Sequence, residues 1–374
     1  MKESLSTKGL RVALVHDYLL RLGGAERVLN VLAEMFPEAP IYTLLYDAEK
    51  TGSIFPEKRI VTSGLQRLPN FIKKRYRYLL PLLPRYIEDF DFSEFDLVIS
   101  SSTAFAHGII TSPHTKHICY MHSPVRYLWD WTHEYKHEQH LKGLKKMAVE
   151  KIMHGLRIWD FTASDRADML IANSHHVQKR IKKYYRQESR VVYPPVDIER
   201  FSPSTTHEDF YLIVSTLSPY KKVDLAVDFF NTTEKKLVVI GEGAHRASLM
   251  NKANSNITFL GWQPDDVVRD YMMRCKALIF PGEEDFGITP VEAMACGKPV
   301  LAYQEGGVSE SVIAGVTGEF FKEQTVESMK EGLEKLLQTT YNPLKMHEHA
   351  QKFSTANFRT AIEELVAETY SQNK

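Results

Sequence analysis

The chain has 374 residues, a length that suits two domains better than a single core. Apolar residues make up 43% and charged residues 25%, the profile of a soluble globular protein, and the formal net charge is +0. The three cysteines lie far apart and form no metal-ligand or redox pair, which predicts a reduced, cytoplasmic location. No apolar run is long enough to span a bilayer, and the polar segment 1–9 lacks the core of a signal peptide, so we expect any membrane contact to be peripheral.

The N-terminal part of the chain alternates between strand and helix patterns. Residues 11–16 form an apolar run typical of a buried strand, and Gly23 and Gly24 precede a helix with one apolar face. A strand, a glycine turn and a helix N-terminus can together cradle a phosphate. A pair of glycines is also typical of a plain tight turn, and the spacing is not that of a dinucleotide-binding fingerprint.

Further strands are expected after this helix. One is predicted at 41–45, and three more, at 96–102, 118–122 and 169–174, end in polar residues. Polar strand ends line the ligand edge of a parallel sheet. His122 lies at one of these ends, where a histidine is more often structural than catalytic.

Charge is unevenly distributed along the chain. Residues 1–200 carry 30 Lys and Arg against 23 Asp and Glu, and the remainder carries 17 against 24, which indicates two surfaces with different partners. The segment 71–85 mixes cations with aromatic and aliphatic side chains, a mixture that can lie on an anionic membrane. It is also typical of an ordinary helix face with solvated cations, and Pro81 and Pro84 limit any helix there. Two more basic helical stretches are expected at 141–157 and 178–190.

The proline-rich segment 191–203 has the composition of a linker. Strands are predicted after it at 210–216, 236–241, 257–261, 277–280 and 299–303, with helices between them, which indicates a second parallel, doubly wound sheet. Lys221 and Lys222 follow the first of these strands. A lysine in such a loop can neutralise a diphosphate, although a lone surface lysine is more often simply solvated.

The stretch 281–300 predicts a loop followed by a short helix. Thr289 suits the N-cap, Pro290 the first helical position, and Gly297 the end of the helix. Glu284 in the loop and Glu292 in the first turn could accept hydrogen bonds from sugar hydroxyls beside a phosphate-binding helix N-terminus. Thr289 and Glu292 also have the spacing of a capping box, in which the glutamate only reaches back to the N-cap amide.

The sequence from Glu284 to Val300, with its Glu-x7-Glu spacing, resembles the signature of glycosyltransferase family 4. Members of that family are retaining enzymes of the two-domain GT-B fold that use nucleotide-sugar donors. The resemblance implies that Glu284 lies by the donor sugar and that Glu292 binds the ribose. Gly-Gly-Ala-Glu at 23–26 resembles the family's glycine loop, which faces the donor phosphates and the acceptor.

Two more segments carry the resemblance. Residues 122–130 resemble a segment of bacterial surface-polysaccharide and O-antigen mannosyltransferases of this family, which implies that His122 contacts the transferred sugar. Lys221 matches the family's lysine for the leaving diphosphate, but Thr216 stands where an arginine is common, and Lys222 is one candidate to compensate. Gly261 and Trp262 are expected near the donor base, by the same resemblance.

The fold class that follows is α/β, with GT-B architecture: two doubly wound Rossmann-like parallel-sheet domains facing a cleft. We expect an acceptor-side domain at 1–200, a donor domain at 201–355, and a helix at 356–374 that crosses back to the first domain. Catalytic roles are expected of Glu284, Lys221 and His122. Donor contacts are expected from Glu292, Gly287, Ile288, Lys222, Gly261, Trp262, Gly23 and Gly24. Acceptor-side contacts are expected from Asp17, Glu26 and Arg126.

The reaction implied by the resemblance is transfer of a hexose, most plausibly mannose from GDP-mannose, to a lipid-linked saccharide at the cytoplasmic face of the membrane. Neither a cofactor nor a metal is expected, because no cluster has metal-ligand spacing, and no nucleic acid is expected as a partner. Two rival classes stay open. One is an inactive partner subunit of the same fold, and the other is a nucleotide-sugar epimerase or glycoside phosphorylase.

Overall fold

The computed structural model describes residues 9–73, 75–132 and 143–371. Lys74 and residues 141–142, which belong to two of the predicted basic stretches, lie outside the described residues. Across the described residues the strands form two parallel sheets, one of seven strands and one of six. The chain divides into two compact units: the first contains the residues up to Tyr193 and those from Phe358 onward, and the second contains Pro194–Asn357. The prediction of two parallel-sheet domains is confirmed.

The first unit is built on the seven-stranded sheet. Its strands are β1 (Val12–Leu19), β2 (Ile41–Tyr46), β3 (Ile60–Thr62), β4 (Leu97–Ser102), β5 (Lys116–Met121), β6 (Met169–Ala172) and β7 (Arg190–Val191). They pair in the order β3-β2-β1-β4-β5-β6-β7, and each pairing is parallel. The order in which the chain visits the strands reverses between β1 and β4.

Both faces of this sheet are buried. Val12 and Leu14 of β1 belong to one apolar cluster, and the alternating residues Ala13 and Val15 belong to another. Successive side chains of a strand point to opposite faces, so an apolar cluster covers each face of the sheet. This is why β1 contains an unbroken apolar run and not an alternating pattern.

Helices connect the strands of the first unit. They are α1 (Gly24–Met35), α2 (Ala48–Thr51), α3 (Asn70–Lys73), α4 (Leu83–Glu88), α5 (Gly143–Ala163) and α6 (His175–Tyr185). The basic segment 71–85 is divided between α3, a 3-10 helix at Tyr76–Leu82 that contains Pro81, and the start of α4. The prolines therefore interrupt this segment as expected.

The second unit is built on the six-stranded sheet. Its strands are β8 (Phe210–Val214), β9 (Lys236–Ile240), β10 (Ile257–Gly261), β11 (Ala277–Phe280), β12 (Val300–Tyr303) and β13 (Gly318–Phe321). Its helices are α7 (Val223–Asn231), α8 (Arg246–Lys252), α9 (Asp265–Arg274), α10 (Ile288–Ala295), α11 (Val308–Ser311), α12 (Val326–Gln338) and α13 (Pro343–Ala350). The strands pair in parallel in the order β10-β9-β8-β11-β12-β13, so the visiting order reverses between β8 and β11.

The last described helix, α14 (Thr355–Ser371), packs on the first sheet. Phe358, Ile362 and Val366 are buried in the same cluster as Val12, and Leu365 packs against it, as the apolar face of this helix predicted. The hydroxyl of Tyr370 donates to the backbone oxygen of Asp96 at 2.7 Å. Three short strands, β3, β7 and β13, were not predicted, and β7 ends at Val191, the first residue of the expected linker.

Candidate active site

The strand order of the second sheet marks a place for a ligand. In an open parallel sheet, the loops that leave two neighbouring strands at a reversal point run to opposite sides and open a crevice beyond the carboxyl ends of the strands. Lys221 lies in the loop after β8, and Glu284 lies in the loop after β11. The topology therefore brings together two of the three residues to which the sequence assigned catalytic roles.

Lys221 and Glu284 form an ion pair. Only 13% of the Lys221 side chain and 23% of the Glu284 side chain are exposed, so water and salt screen the pair weakly. Burial lowers the pKa of Lys221, but attraction to Glu284, helped by Tyr220 and Asp285, outweighs burial and leaves that pKa above its ordinary value. The Lys221 Nζ lies 5.0 Å from the ring centroid of Tyr220, close enough for a cation–π attraction. Lys221 is therefore a charged ammonium at neutral pH.

The loop that carries Glu284 is fixed on both sides by backbone. A Cβ atom on Gly282 would lie 2.8 Å from the Cα of Lys221, so only glycine allows the two loops to approach this closely. On the other side, the N–H of Gly307 donates to the backbone oxygen of Glu284 at 2.8 Å, next to a β-bridge between Glu284 and Gly306. These contacts hold the backbone that carries Glu284 from two sides.

The helix after this loop differs from its prediction at the N-terminus. Its N-cap is Gly287, which has a φ of 87°, and no side chain caps the helix. Thr289 is thus not the N-cap, and Pro290 is the third helical residue and not the first, a position in the first turn that still tolerates proline. The predicted end is confirmed, because Gly297 has a φ of 71° and donates to the oxygen of Met294 at 2.9 Å, as in a Schellman motif.

The new N-cap changes the interpretation of Glu292. A capping box pairs an N-cap Ser or Thr with the third helical residue, whereas Glu292 is the fifth residue of α10, and Gly287 has no side chain to reciprocate. The capping-box interpretation is therefore wrong. Glu292 is 8% exposed, on a helix that begins with Ile288 directly after the Glu284 loop.

Three other residues that were expected to contact the donor lie at the same edge of the second sheet. Lys222 has a φ of 52° and occupies the N-cap position of α7, and its side chain has no ion-pair partner among the described residues. Gly261 ends β10 with a φ of 72°, and 72% of Trp262 is exposed beside it. Thr216, in the position of the family's arginine, is exposed in the loop after β8.

The first sheet carries a second group of predicted residues at its own reversal point, between β1 and β4. Asp17, in β1, is 1% exposed and accepts five hydrogen bonds of 2.5–3.0 Å from the segment 103–106. Four of the donors are backbone N–H groups, and the fifth is the hydroxyl of Thr103. The Asp17 carboxylate thus holds the loop after β4. This structural role explains why Asp17 is buried, and it requires no contact with an acceptor substrate.

Glu26 and His122 are linked through two residues that the sequence analysis did not single out. The Oε1 of Glu26 lies 3.6 Å from the Nε2 of His16, whose Nδ1 lies 3.0 Å from the backbone oxygen of Ser101. The hydroxyl of Ser101 lies 2.9 Å from the Nε2 of His122. Burial lowers the pKa of His16, but the hydrogen bond and charge of Glu26 outweigh burial and raise it. Burial raises the pKa of Glu26, but His16 outweighs it and lowers that pKa.

The glycine loop and Arg126 complete the first group. Gly23 is the extended N-cap of α1, and a Cβ on it would lie 3.0 Å from the Oε2 of Glu26, so glycine leaves room for this carboxylate. Gly24 is the first residue of α1 and is exposed. Arg126 is half-buried, and its backbone oxygen accepts from the N–H of Trp131 at 2.9 Å.

The described residues contain neither a metal-binding cluster nor a membrane-spanning helix. No group of three or more His, Cys, Asp or Glu side chains in this part of the chain is placed to hold a metal ion. None of the helices described is both long and apolar enough to cross a membrane. Cations, carboxylates and helix N-termini at the ends of parallel strands are the groups that bind phosphates and hydroxyls. Both reversal points therefore carry groups that suit the phosphates and hydroxyls of a ligand.

Two family models cover most of the chain between them. "Glycosyltransferase Family 4" matches residues 22–200, and "Glycosyl transferases group 1" matches residues 196–354. The chain therefore belongs to glycosyltransferase family 4.

Similar proteins agree with this assignment. The α-1,3/1,6-mannosyltransferase ALG2 of Dictyostelium discoideum is 22% identical, over 91% of this chain and 92% of its own. An uncharacterised glycosyltransferase of Methanocaldococcus jannaschii is 29% identical over 57% of this chain, and the match spans 62% of that relative's length. A D-inositol 3-phosphate glycosyltransferase of Mycobacterium sp. (strain KMS) is 28% identical over 51% of this chain and 50% of its own.

Solved structures support the fold. Anabaena HepE in complex with UDP-glucose gives a TM-score of 0.68 at 18% identity, covering 96% of this chain and 99% of that one. The sucrose-phosphate synthase of Thermosynechococcus elongatus gives a TM-score of 0.69 at 14% identity, covering 96% and 99%. The two Rossmann-like domains are those of the GT-B fold.

Proposed function

We propose that the protein is a retaining glycosyltransferase that moves a hexose from a nucleotide sugar to a saccharide acceptor. The observation that carries this proposal is the largely buried Lys221–Glu284 ion pair at the reversal point of the second sheet. A structural ion pair could occupy many places on the surface, but this one joins the two loops where an α/β sheet binds its ligand. Buried titratable pairs in such places are frequently functional.

The proposed roles follow from charge and position. Lys221 neutralises the departing diphosphate, a charge that is greatest in the transition state. Glu284 accepts hydrogen bonds from the donor sugar, and Glu292 from the ribose. The N-terminus of α10, at Gly287 and Ile288, offers free N–H groups beside them. Lys222, a cation with no ion-pair partner among the described residues, supplements Lys221 in place of the arginine that Thr216 replaces.

The proposal includes mannose as the sugar and GDP-mannose as the donor. It rests on the likeness of residues 122–130 to surface-polysaccharide mannosyltransferases and on the near full-length similarity to a mannosyltransferase of Dictyostelium discoideum. The structural neighbour with UDP-glucose shows that a uridine donor occurs on this fold, so the base needs a direct test. The base is proposed to lie at Gly261 and Trp262.

The proposed acceptor is a lipid-linked saccharide, reached by peripheral contact with an anionic membrane. The helix α5 supports this contact because it exposes apolar side chains, with Leu144 84% and Met147 66% exposed, beside cations. The segment 71–85 has the same mixture, with 68% of Phe71 exposed. Apolar side chains flanked by lysines suit the boundary between headgroups and acyl chains.

A panel of nucleotide sugars in a thermal-shift assay tests the proposal, because a ligand that binds only the native state raises its melting temperature. We expect GDP-mannose to stabilise the protein and to release GDP when a polyprenyl-linked saccharide is present. Stabilisation without release, with every acceptor tried, would favour the inactive partner subunit, for which Thr216 is the supporting observation. A changed sugar configuration without acceptor would indicate an epimerase.

A further inference from the structure

A continuous network of polar side chains links helix α1 to three neighbouring strands inside the first unit, and it runs from Glu26 through His16 and Ser101 to His122. His16 pairs with Ser101 across β1 and β4, and His122 directly follows β5, the next strand. His16 and Ser101 are 1% and 0% exposed, so water does not compete for their hydrogen bonds. The donors and acceptors of these two buried side chains must therefore be satisfied by neighbouring residues, and this condition fixes where their protons lie.

The proton positions of His16 follow from its acceptors. A carbonyl oxygen can only accept, so the Nδ1 of His16, 3.0 Å from the backbone oxygen of Ser101, must carry a proton. The Nε2 of His16 faces the carboxylate of Glu26 at 3.6 Å, and an ionised carboxylate also only accepts. Glu26 and Asp17 are the charged groups that favour the doubly protonated ring.

The hydroxyl of Ser101 then has one arrangement that satisfies it. Its oxygen lies 3.2 Å from the protonated Nδ1 of His16, so on that side it accepts. Its single proton must go elsewhere, and the remaining partner within reach among the described residues is the Nε2 of His122, at 2.9 Å. If the Nε2 of His122 carried a proton instead, the buried Ser101 proton would have no acceptor, which is costly.

We propose that His16 and Ser101 are positioning residues that hold His122 as a neutral imidazole with its proton on Nδ1. The ring orientation has a second support, because the rings of His122 and Tyr120 make a T-shaped contact at 5.1 Å. Tyr120 is itself buried and donates to the backbone oxygen of Val192 at 2.9 Å. The hydrogen bond from Ser101 thus fixes the tautomer of the imidazole, and the contact with Tyr120 fixes the plane of its ring.

The consequence for chemistry rests on the proposed function. A neutral ring whose Nε2 accepts the Ser101 proton carries its own proton on Nδ1, which is then a hydrogen-bond donor. His122 would then donate a hydrogen bond to a sugar oxygen and could not act as a general base through Nδ1. Its task would be to orient or stabilise the transferred sugar, in line with a retaining reaction in which the leaving phosphate takes the acceptor proton.

Nuclear magnetic resonance of protein labelled with ¹⁵N in its histidine rings tests the inference without donor or acceptor. The chain has 15 histidines, so the signals of His122 are assigned by their loss in His122→Gln. At a pH at which the ring is neutral, we expect a protonated, pyrrole-like Nδ1 and an unprotonated, pyridine-like Nε2. Free neutral histidine favours the opposite tautomer, so a protonated Nε2 in His122 would overturn the inference.

Variants of the two serines of β4 make the test specific. Ser101→Ala should shift His122 toward the Nε2–H tautomer, and Ser101→Thr, which keeps a hydroxyl, should retain Nδ1–H. Ser100→Ala is the matched control, since Ser100 is equally buried and bonds the Nε2 of a different histidine, His117, at 2.8 Å. An unchanged tautomer in Ser101→Ala, or an equal change in Ser100→Ala, would refute a positioning role for Ser101.

The outcome is separable from that of the proposed function. If Ser101→Ala does not fold, the spectra of the unaltered protein and of Ser101→Thr still decide the tautomer. An Nδ1–H tautomer in a protein that turns over no nucleotide sugar would support this inference and contradict the proposed function. A protonated Nε2 in an active enzyme would contradict this inference and support the proposed function.

Discussion

Removal of one charge from the Lys221–Glu284 pair should affect stability and turnover to different extents. Lys221→Met keeps most of the apolar stem but leaves Glu284 without its cation. The pair lies between an exposed ion pair and a fully buried one, with side chains 13% and 23% exposed. Breaking it should therefore lower the free energy of unfolding by about 2 kcal/mol, between the values typical of the two extremes. For a domain of this size, the melting temperature should fall by about 4–8 °C.

Turnover should fall further than stability alone explains. Loss of one preorganised donor at a developing negative charge typically costs about two to three orders of magnitude in rate. The assay is release of nucleoside diphosphate from the donor at a temperature at which the variant is fully folded, checked by circular dichroism. Lys222→Met is the matched control because Lys222 has no ion-pair partner among the described residues, and it should change the melting temperature little and turnover clearly less.

The double variant Lys221→Met/Glu284→Gln separates the two effects. Removing both charges relieves the uncompensated carboxylate, so the melting temperature should recover most of its loss. Turnover should stay low, because only the supplementary Lys222 remains for the leaving phosphate and Glu284 no longer binds the donor sugar as a carboxylate. If Lys221→Met alone leaves turnover unchanged, Lys221 is not the phosphate ligand. If turnover recovers together with stability in the double variant, the pair is only structural.

Four other perturbations have defined outcomes. Glu292→Gln should weaken donor binding in calorimetry while leaving the melting temperature nearly unchanged, because glutamine keeps the size of the side chain and one acceptor oxygen. Gly282→Ala should lower the free energy of unfolding by about 1–3 kcal/mol in urea titrations, since its Cβ would press on the backbone of Lys221. The pKa of His16 is raised, so its pairing with Glu26 stabilises the fold below about pH 6.5, and this stabilisation is lost as the pH rises through the raised pKa. Glu26→Gln should therefore destabilise the protein more at about pH 6 than at about pH 9. Co-sedimentation with anionic vesicles should fall with salt and with charge reversal of three lysines of α5, Lys145, Lys146 and Lys151.

Each of these four predictions would be contradicted by a specific result. Loss of melting temperature with full donor affinity in Glu292→Gln would show that the glutamate is structural. A neutral effect of Gly282→Ala would mean that the two loops separate easily. A stability cost of Glu26→Gln that grows toward about pH 9 would show that His16 is not paired as a cation. Equal recovery with neutral and anionic vesicles would remove the membrane contact, and reversal of Lys330 and Lys335 on α12 is the control for charge alone.

The fold could be predicted because its signals are long and repeated. Buried parallel strands give unbroken apolar runs, and those at 41–45, 257–261 and 277–280 lie within one residue of the observed strands. The unpredicted strands β3 and β7 have three and two residues, too few for a pattern to be seen, and β13 begins with Gly318 and Glu319, so it has no apolar run. The predicted and observed ends of an element also differ where the backbone conformation of a glycine sets the end. A glycine with positive φ at 287 caps α10, and side-chain preference alone pointed two residues later, to Thr289.

The site was predictable in part. Lys221 and Glu284 could be singled out by resemblance, but their pairing depends on two strands that are neighbours in the sheet and far apart in sequence. His16 and Ser101 gave no signal beyond a polar residue at a strand end, and their link to His122 is visible only in three dimensions. Asp17 was expected to face an acceptor, and the structure shows its carboxylate occupied by the loop after β4.

The most direct test of the central claim follows GDP-mannose and the unaltered protein by proton nuclear magnetic resonance, with a polyprenyl-linked saccharide as acceptor. We predict release of GDP and formation of a mannoside with the same anomeric configuration as the donor, and loss of both signals in Lys221→Met. A product of inverted configuration would contradict a retaining transferase. Absence of nucleoside diphosphate release from any sugar of the panel would contradict glycosyl transfer at the Lys221–Glu284 site.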